Sequence, residues 1–295
     1  MRPKIALALL KTMRPKQWAK NGFLFAALIF DRQLRPDNIT AILHTLAGFG
    51  LFCLLSSTVY LINDISDVEA DRQHPTKRLR PIAAGDLPIS IARAVAIALL
   101  LIVFPLALWL SPLFAALALL YLLINLAYSK ALKHIVILDV VVLASLYVLR
   151  VAAGVALIQV ARFSPWLYLF TTFLALFLGI GKRRAELNLL AENANAARPV
   201  LEGYTLPLLD QLITVVVTLT IATYSLYTFS AQNLPPNHVM MLTIPFLIYG
   251  IFRYLYLVQV EHCGGAPEDV LFSDRPLQAT LVLFGISVLV IFYAF

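Results

Sequence analysis

Long apolar runs separated by short charged intervals set the pattern of this chain. A helix needs about 20 predominantly apolar residues to cross a bilayer. Runs of that character fall at about 15–30, 39–63, 89–110, 112–128, 136–159, 165–181, 211–230, 239–258 and 277–294. The pattern predicts an all-α integral membrane protein of about nine transmembrane helices, arranged as a single domain over residues 1–295. The opening residues differ, because Arg2, Lys4, Lys11, Arg14, Lys16 and Lys20 punctuate them. Their apolar run, Ile5 to Leu10, is too short for a signal-peptide core. Residues 1–20 therefore read as an interfacial amphipathic helix leading into the first span, with Trp18 marking the interface.

Composition supports the membrane reading. Of 295 residues, 61% are hydrophobic and 13% charged, with mean hydropathy +0.85. A soluble domain carries about a quarter charged residues. The net charge of +7 points to basic loops rather than to nucleic acid, because lysine and arginine concentrate on the cytoplasmic side of membrane proteins. Counted over alternate loops, 18 of them fall on one side: the six named above, then Arg72, Lys77, Arg78, Arg80, Arg93, Lys130, Lys133, Lys182, Arg183, Arg184, Arg198 and Arg275. Only Arg32, Arg35 and Arg162 fall on the other. This asymmetry predicts a multi-pass protein of the cytoplasmic (inner) membrane, with the N-terminus inside and, with nine spans, the C-terminus outside. Cys53 sits in an apolar run and Cys263 in a loop, which gives neither a disulfide framework nor a zinc or redox motif.

Against that background Asn63 to Gly85 stands apart. Asp64, Asp67, Glu69 and Asp71, then Arg72, His74, Lys77, Arg78 and Arg80, follow an almost uncharged run. A helix continued to Arg72 puts Asp64, Asp67 and Asp71 at i, i+3 and i+7, on one face. Like charges so placed repel unless a cation lies between them. Their hard oxygens suit Mg2+, which takes one or two carboxylates plus substrate phosphates. Arg72, Lys77, Arg78 and Arg80 are placed to grip such phosphates. Pro75 and Pro81 make the basic segment a loop. The stretch reads as a metal and diphosphate site; a solvated loop holding lipid head groups is the bland alternative. His74, ahead of a proline, reads as a turn residue.

More polar residues gather on the same side, in Tyr128-Ser-Lys-Ala-Leu-Lys-His134, Gly181-Lys-Arg-Arg-Ala-Glu186 and Pro267-Glu-Asp-Val-Leu-Phe-Ser-Asp-Arg275. Lys130, Arg184 and Arg198 read as anchors. Asp139 is a functional candidate, because a carboxylate entering a membrane helix is costly unless paired or metal-bound. Arg150, three turns along nearly the same face, and Arg253 are candidates on that ground, with salt-bridging inside the bundle the equal alternative. Tyr60, Tyr128, Tyr147 and Tyr254 are packing or interface residues by default.

The pattern Asn63-Asp64-x-x-Asp67-x-x-x-Asp71 after an apolar helix resembles the first motif of the UbiA superfamily of intramembrane prenyltransferases. Further blocks are similar to its decaprenyl-phosphate phosphoribosyltransferase branch. They are Arg14-Pro-Lys-Gln-Trp-Ala-Lys-Asn21, His74 to Gly85, Leu132-Lys-His134 with Asp139-Val140, Gly181-Lys-Arg183 with Glu186, and Pro267-Glu-Asp269 with Asp274-Arg275. They span nearly the whole chain in order. The resemblance implies nine transmembrane helices around a cytoplasm-facing cavity. It implies magnesium-dependent transfer of 5-phosphoribose from phosphoribosyl diphosphate to a polyprenyl (decaprenyl) phosphate, releasing diphosphate, to supply cell-envelope arabinan. Asp64, Asp67 and Asp71 would be the catalytic metal ligands. Lys20, Asn63, Arg72, Lys77, Arg80, Tyr128, Lys133, Asp139, Lys182, Arg183 and Glu186 would bind substrate.

One departure bears on substrate. The aromatic prenyltransferases carry a second Asp-x-x-x-Asp motif after the fourth helix, where this chain offers Asp139 with Lys130, Lys133 and His134. One acidic motif with more basic residues suits two phosphorylated substrates. A polyprenyl diphosphate transferase acting on an aromatic or other acceptor is the alternative. A transporter is the third reading, although its polar residues should run through the midplane and here they cluster at one face.

Overall fold

The computed structural model describes residues 3–158, 160, 164–192, 199–232, 234, 235, 237–261 and 267–294. Arg2, Arg162, Arg198 and Cys263 lie outside the described residues. In chain order the helices are α1 (Pro3–Met13), a 3-10 helix (Pro15–Leu24), α2 (Phe25–Phe30), α3 (Ile39–Ser66), α4 (Val68–Gln73), α5 (Ile89–Leu110) and α6 (Pro112–Lys130). Then follow α7 (Leu138–Val155), α8 (Pro165–Glu192), α9 (Leu206–Ser230), α10 (Ile244–Gln259), α11 (Pro267–Ser273) and α12 (Arg275–Ala294). Shorter 3-10 turns include Lys77–Leu79, Leu132–His134 and Pro199–Gly203. Every regular element among the described residues is helical, as the apolar pattern predicts.

Among the described residues eight helical segments are long and apolar enough to cross a membrane. They correspond to α3, α5, α6, α7, α8, α9, α10 and α12. The expected first span, 15–30, differs: ten residues wind as a 3-10 helix and only six as α2. Such long 3-10 runs are uncommon. Here Pro15 withholds an amide, Lys16, Gln17, Lys20 and Asn21 interrupt the apolar pattern, and Arg14 before them is left-handed at φ 52. Trp18, expected at an interface, donates its Nε1 to Ser57 Oγ of α3 at 3.0 Å.

The residues cluster into two compact units. The first comprises Met1–Leu28, Pro36–Lys130 and Leu149–Gln159; the second comprises Ile29–Arg35, Ala131–Val148 and Val160–Phe295. In the first, α1 turns Ala8 onto Leu61 of α3, Ile82 and Leu87 of the basic loop, and Ala92 and Ala96 of α5. Leu7 and Leu10 on its other side are exposed. The amphipathic helix thus covers the end of α3 from which the acidic stretch emerges. Elsewhere in this unit a Cβ added to Gly154 would come 2.1 Å from the Leu24 carbonyl oxygen. Only glycine permits that approach of backbone to backbone.

In the second unit α8 packs along α9. One core holds Phe177, Ile180, Leu209, Ile213, Tyr254 and Leu257, and another holds Tyr224, Tyr227, Met240 and Phe292. Arg253, a functional candidate in the sequence, is bidentate to Asp274, with Nε to Oδ1 at 3.2 Å and Nη2 to Oδ2 at 2.8 Å. The Leu277 amide donates to the same carboxylate at 2.8 Å. Arg253 therefore secures the entry to α12. Its guanidinium, with help from that amide and against partial desolvation, holds the Asp274 carboxyl below the usual carboxylate range. A depressed folded value gives stability that is present above the ordinary aspartate pKa, near ~3.9, and is lost as pH falls through the folded one. Asp274→Asn should therefore flatten the acid limb of melting temperature measured from about pH 5 to pH 3. An acid limb as steep as wild type would remove the pair from that role.

Candidate functional site

Two clusters of buried charge stand out, one in each unit. In the first unit the acidic stretch is not one unbroken helix: α3 ends at Ser66, and Asp67 takes φ −95 and ψ 7 before α4 begins. The hydrogen-bond ladder nevertheless continues across the break, from the Asp67 amide to the Asn63 carbonyl at 2.9 Å and from the Asp71 amide to the Asp67 carbonyl at 2.8 Å. Two turns apart, Asp64 and Asp71 keep a common face, and each is only 2% exposed. Both converge on one guanidinium. Arg80 Nη1 lies 2.7 Å from Asp71 Oδ2 and 3.3 Å from Asp64 Oδ1. A second arginine, Arg14, donates from Nη2 to the same Asp64 oxygen at 2.7 Å. The left-handed joint between α1 and the 3-10 helix aims it there, and its guanidinium lies over the Tyr60 ring, 4.6 Å from the centroid.

Asp67, at the break, is half-buried and makes no ion pair among the described residues. No group of three or more His, Cys, Asp or Glu side chains among the described residues is gathered to hold a metal ion. Of the three expected carboxylates, Asp64 and Asp71 are the two that converge on one guanidinium. That pair fits a magnesium ion on its chemistry. Two buried hard carboxylates already meet at one cation, and Mg2+ takes one or two carboxylates and leaves its other positions to water and phosphate.

The basic loop is built to bring Arg80 back over α4. Gly85 takes φ 85, and Pro81, Ile82 and Leu87 are buried. Arg72 lies on the outside of α4, donating to Glu69 at 2.8 Å. His74 behaves as the turn residue expected: its Nδ1 accepts from the Thr76 and Lys77 amides at 3.3 and 3.4 Å. Burial and the neighbouring Lys77 lower its pKa, which favours the neutral, accepting imidazole. Lys20, Asn63, Lys77 and Tyr128 of the expected substrate-binding set are half-buried in this unit.

In the second unit the end of α8 carries Lys182, Arg183 and Glu186. Arg183 and Asp139 are 1% and 0% exposed. Arg183 Nε donates to Asp139 Oδ2 at 2.6 Å, and its Nη1 pairs with Glu186. Tyr204, which the sequence reading did not single out, donates to Asp139 Oδ1 at 2.6 Å. The costly membrane carboxylate is thus fully satisfied. Lys133 sits half-buried on the 3-10 turn Leu132–His134 just ahead.

Arg150, the other intramembrane cation, lies in the first unit and is 6% exposed. Its Nε donates to Asn21 Oδ1 at 2.9 Å and its Nη2 to the Tyr121 hydroxyl at 2.8 Å. Asn21 in turn donates to Ser56 Oγ at 3.3 Å. This network ties the 3-10 helix to α3, α6 and the end of α7. Tyr204 was not singled out because its partner lies 65 residues away, and Arg14 was read only as a basic residue and as part of a family block because its partner lies 50 residues away.

A model of the UbiA prenyltransferase family matches residues 22–272. The decaprenyl-phosphate phosphoribosyltransferase of Mycobacterium tuberculosis is 37% identical over 277 residues, covering 93% of this chain and 90% of that one. The enzyme of the same name from Corynebacterium glutamicum is 36% identical over 282 residues, covering 93% and 83%. Among solved structures, a UbiA homolog from Archaeoglobus fulgidus bound to DMAPP and Mg2+ superposes with a TM-score of 0.71 at 19% identity, over 97% of this chain and 99% of that one.

Proposed function

The chain belongs to the UbiA prenyltransferase family, and from that premise we propose that it transfers 5-phosphoribose from phosphoribosyl diphosphate to a polyprenyl phosphate, of the decaprenyl class, releasing diphosphate. The observation that carries this reading is the convergence of Asp64 and Asp71 on Arg80 with Arg14 alongside. Such a cluster of buried carboxylates and half-buried guanidiniums is matched to a metal-bound diphosphate. The likeness to phosphoribosyltransferases over nearly the full length supports the choice of donor and acceptor.

Asp64 and Asp71 would hold magnesium, which when bound neutralises the leaving diphosphate. Arg80 and Lys77 hold the diphosphate oxygens while the ribose C1–O bond breaks. Lys133 and Lys182, in the second unit, are read as phosphate ligands on the strength of the family resemblance. The attacking oxygen belongs to a phosphate that is already anionic near neutral pH, so no side chain must remove a proton. Positioning and charge neutralisation then supply the catalysis. In the first unit a cleft of about 200 Å3, lined by Ile62, Ile65, Ala96, Ile97 and Leu100 with Ser66 and Arg93 at one end, offers a seat for part of a polyprenyl tail.

Purified protein incubated with labelled phosphoribosyl diphosphate, Mg2+ and polyprenyl phosphate should move label into the lipid phase. Label transfer only from a prenyl diphosphate to an aromatic acceptor would overturn the reading. Lys77→Ala and Lys133→Ala should each weaken phosphorylated-substrate binding about ten- to a hundredfold, the value of one charge-assisted contact. Wild-type kinetics in both would assign these lysines to membrane anchoring.

The proposal places the chain as one catalytic domain in the inner membrane, with the N-terminus and the charged loops in the cytoplasm, where a soluble phosphorylated sugar reaches them. With residues 15–30 counted as a ninth crossing beside the eight apolar helices, a reporter inserted near Asn193 should be active inside and one fused after Phe295 outside; an inverted pattern excludes this orientation.

A further inference from the structure

Tyr204 follows the 3-10 turn Pro199–Gly203 and leads into α9, and it meets two residues on other segments. Its hydroxyl accepts from the Ile137 amide at 2.7 Å and donates to Asp139 Oδ1 at 2.6 Å. Burial first, and the bond to Asp139 next, hold the phenol well above its usual range. The proton therefore stays on the oxygen, and the two bonds keep these directions whenever the protein is folded.

Ile137 needs such a hold. It takes φ 69, in the left-handed region that a β-branched residue adopts only when its surroundings impose it. Gly203 presses on the same turn from outside: an added Cβ would come 2.4 Å from Val136 Cγ2. The turn so held carries Lys133 four residues before Ile137 and leads into Asp139 two residues after it. Asp139 in turn receives Arg183, the neighbour of Lys182 on α8. Tyr204 thus links three segments of the second unit: the Leu132–Leu138 turn, the end of α8 and the entry to α9.

We propose that Tyr204 is a positioning residue for phosphate binding, acting as a clasp that keeps Ile137 left-handed and so sets where Lys133 presents its ammonium. The inference rests on the reading of Lys133 as a phosphate ligand. It adds a residue with no charge, drawn from a different segment, to the requirements of that site.

Tyr204→Phe keeps the buried ring and removes both hydrogen bonds. Amide hydrogen exchange of the peptide containing Ile137 should speed up roughly tenfold, the loss of about one hydrogen bond, while the middle of α9 stays protected. KM for phosphoribosyl diphosphate should rise by a similar factor with kcat within about twofold, the signature of lost binding rather than lost chemistry. Adding Ile137→Gly should bring KM back toward wild type, because glycine takes a positive φ without being held. A residue that merely stabilises the fold would show no such rescue. Unchanged exchange at Ile137 in Tyr204→Phe overturns the clasp. A KM raised by Lys133→Ala but unmoved by Tyr204→Phe overturns the positioning role and spares the phosphate reading. A KM unmoved in both removes the phosphate reading and the proposal with it. Should Tyr204→Phe fail to fold, Gly203→Ala, which pushes on Val136 of the same turn, is read by KM: a raised KM with kcat kept supports the positioning role, and a KM at wild type overturns it.

Discussion

Asp64→Asn is expected to lower magnesium-dependent turnover by about two orders of magnitude or more, the usual cost of deleting one preorganised charge-stabilising group. The substitution keeps size and helical position and removes the charge that a metal-bound diphosphate requires. Asp71→Asn should match it. Read from spacing alone, Asp71 lies nearest the loop, and the effect is milder if it stands behind the ligands and equal if it is one of them. In the fold it is as buried as Asp64 and lies closer to Arg80, 2.7 Å against 3.3 Å. Asp67→Asn should cost least of the three, because Asp67 makes no ion pair among the described residues and occupies the break between α3 and α4. Melting temperatures should move little. Arg14 and Arg80 keep 31% and 29% of their side-chain surface exposed and regain water when a carboxylate is lost, so these pairs are worth far less than dry ones. Turnover measured beside melting temperature separates the cases. Full activity per folded molecule with a large loss of melting temperature would make the cluster a scaffold.

The spans were legible because a membrane helix is a matter of composition, and composition is local. The first one winds differently from its composition for a physical reason. Its apolar content is adequate, but Pro15 and the polar residues up to Asn21 favour a tighter winding. Its position is then set by contacts far away in sequence, such as Gly154 against the Leu24 carbonyl. The acidic face was likewise visible in the spacing of Asp64 and Asp71, whereas the break at Asp67 went unread although Ser66 and Asp67, with Glu69 three residues after Ser66, are of the kind that open a new helix. Asp139 was flagged by the cost of burying a carboxylate, and that cost is indeed met, but by Arg183, 44 residues away. Cost arguments locate a buried charge without naming its partner. Arg14 and Tyr204 show the same limit from the other side: each is unremarkable until the fold delivers it to a carboxylate.

That delivery makes Arg183 the residue on which the second unit should depend most for stability. Arg183→Met is expected to cost about 3–5 kcal/mol, the penalty for leaving a buried charge without its partner, or roughly 6–20 °C in melting temperature. Asp139 is 0% exposed and among the described residues would keep only the Tyr204 hydroxyl, too weak a partner for an anion in an apolar core. Glu186, 18% exposed, can turn to water and adds little to the loss. The size of the effect comes from stranding Asp139, not from a large net worth of the pair, because desolvation offsets most of the attraction between buried ions. Neutralising the stranded partner should therefore restore most of the stability. In Asp139→Asn with Arg183→Met the asparagine oxygen still accepts from Tyr204, and no buried charge remains. Activity should stay low in that double variant, since Lys182 and Lys133 would be held by a network stripped of its charges. A double-mutant cycle on melting temperature measures the coupling. Additive losses, with the double variant less stable than either single one, would mean that Asp139 reaches water and that the pair is not a dry ion pair.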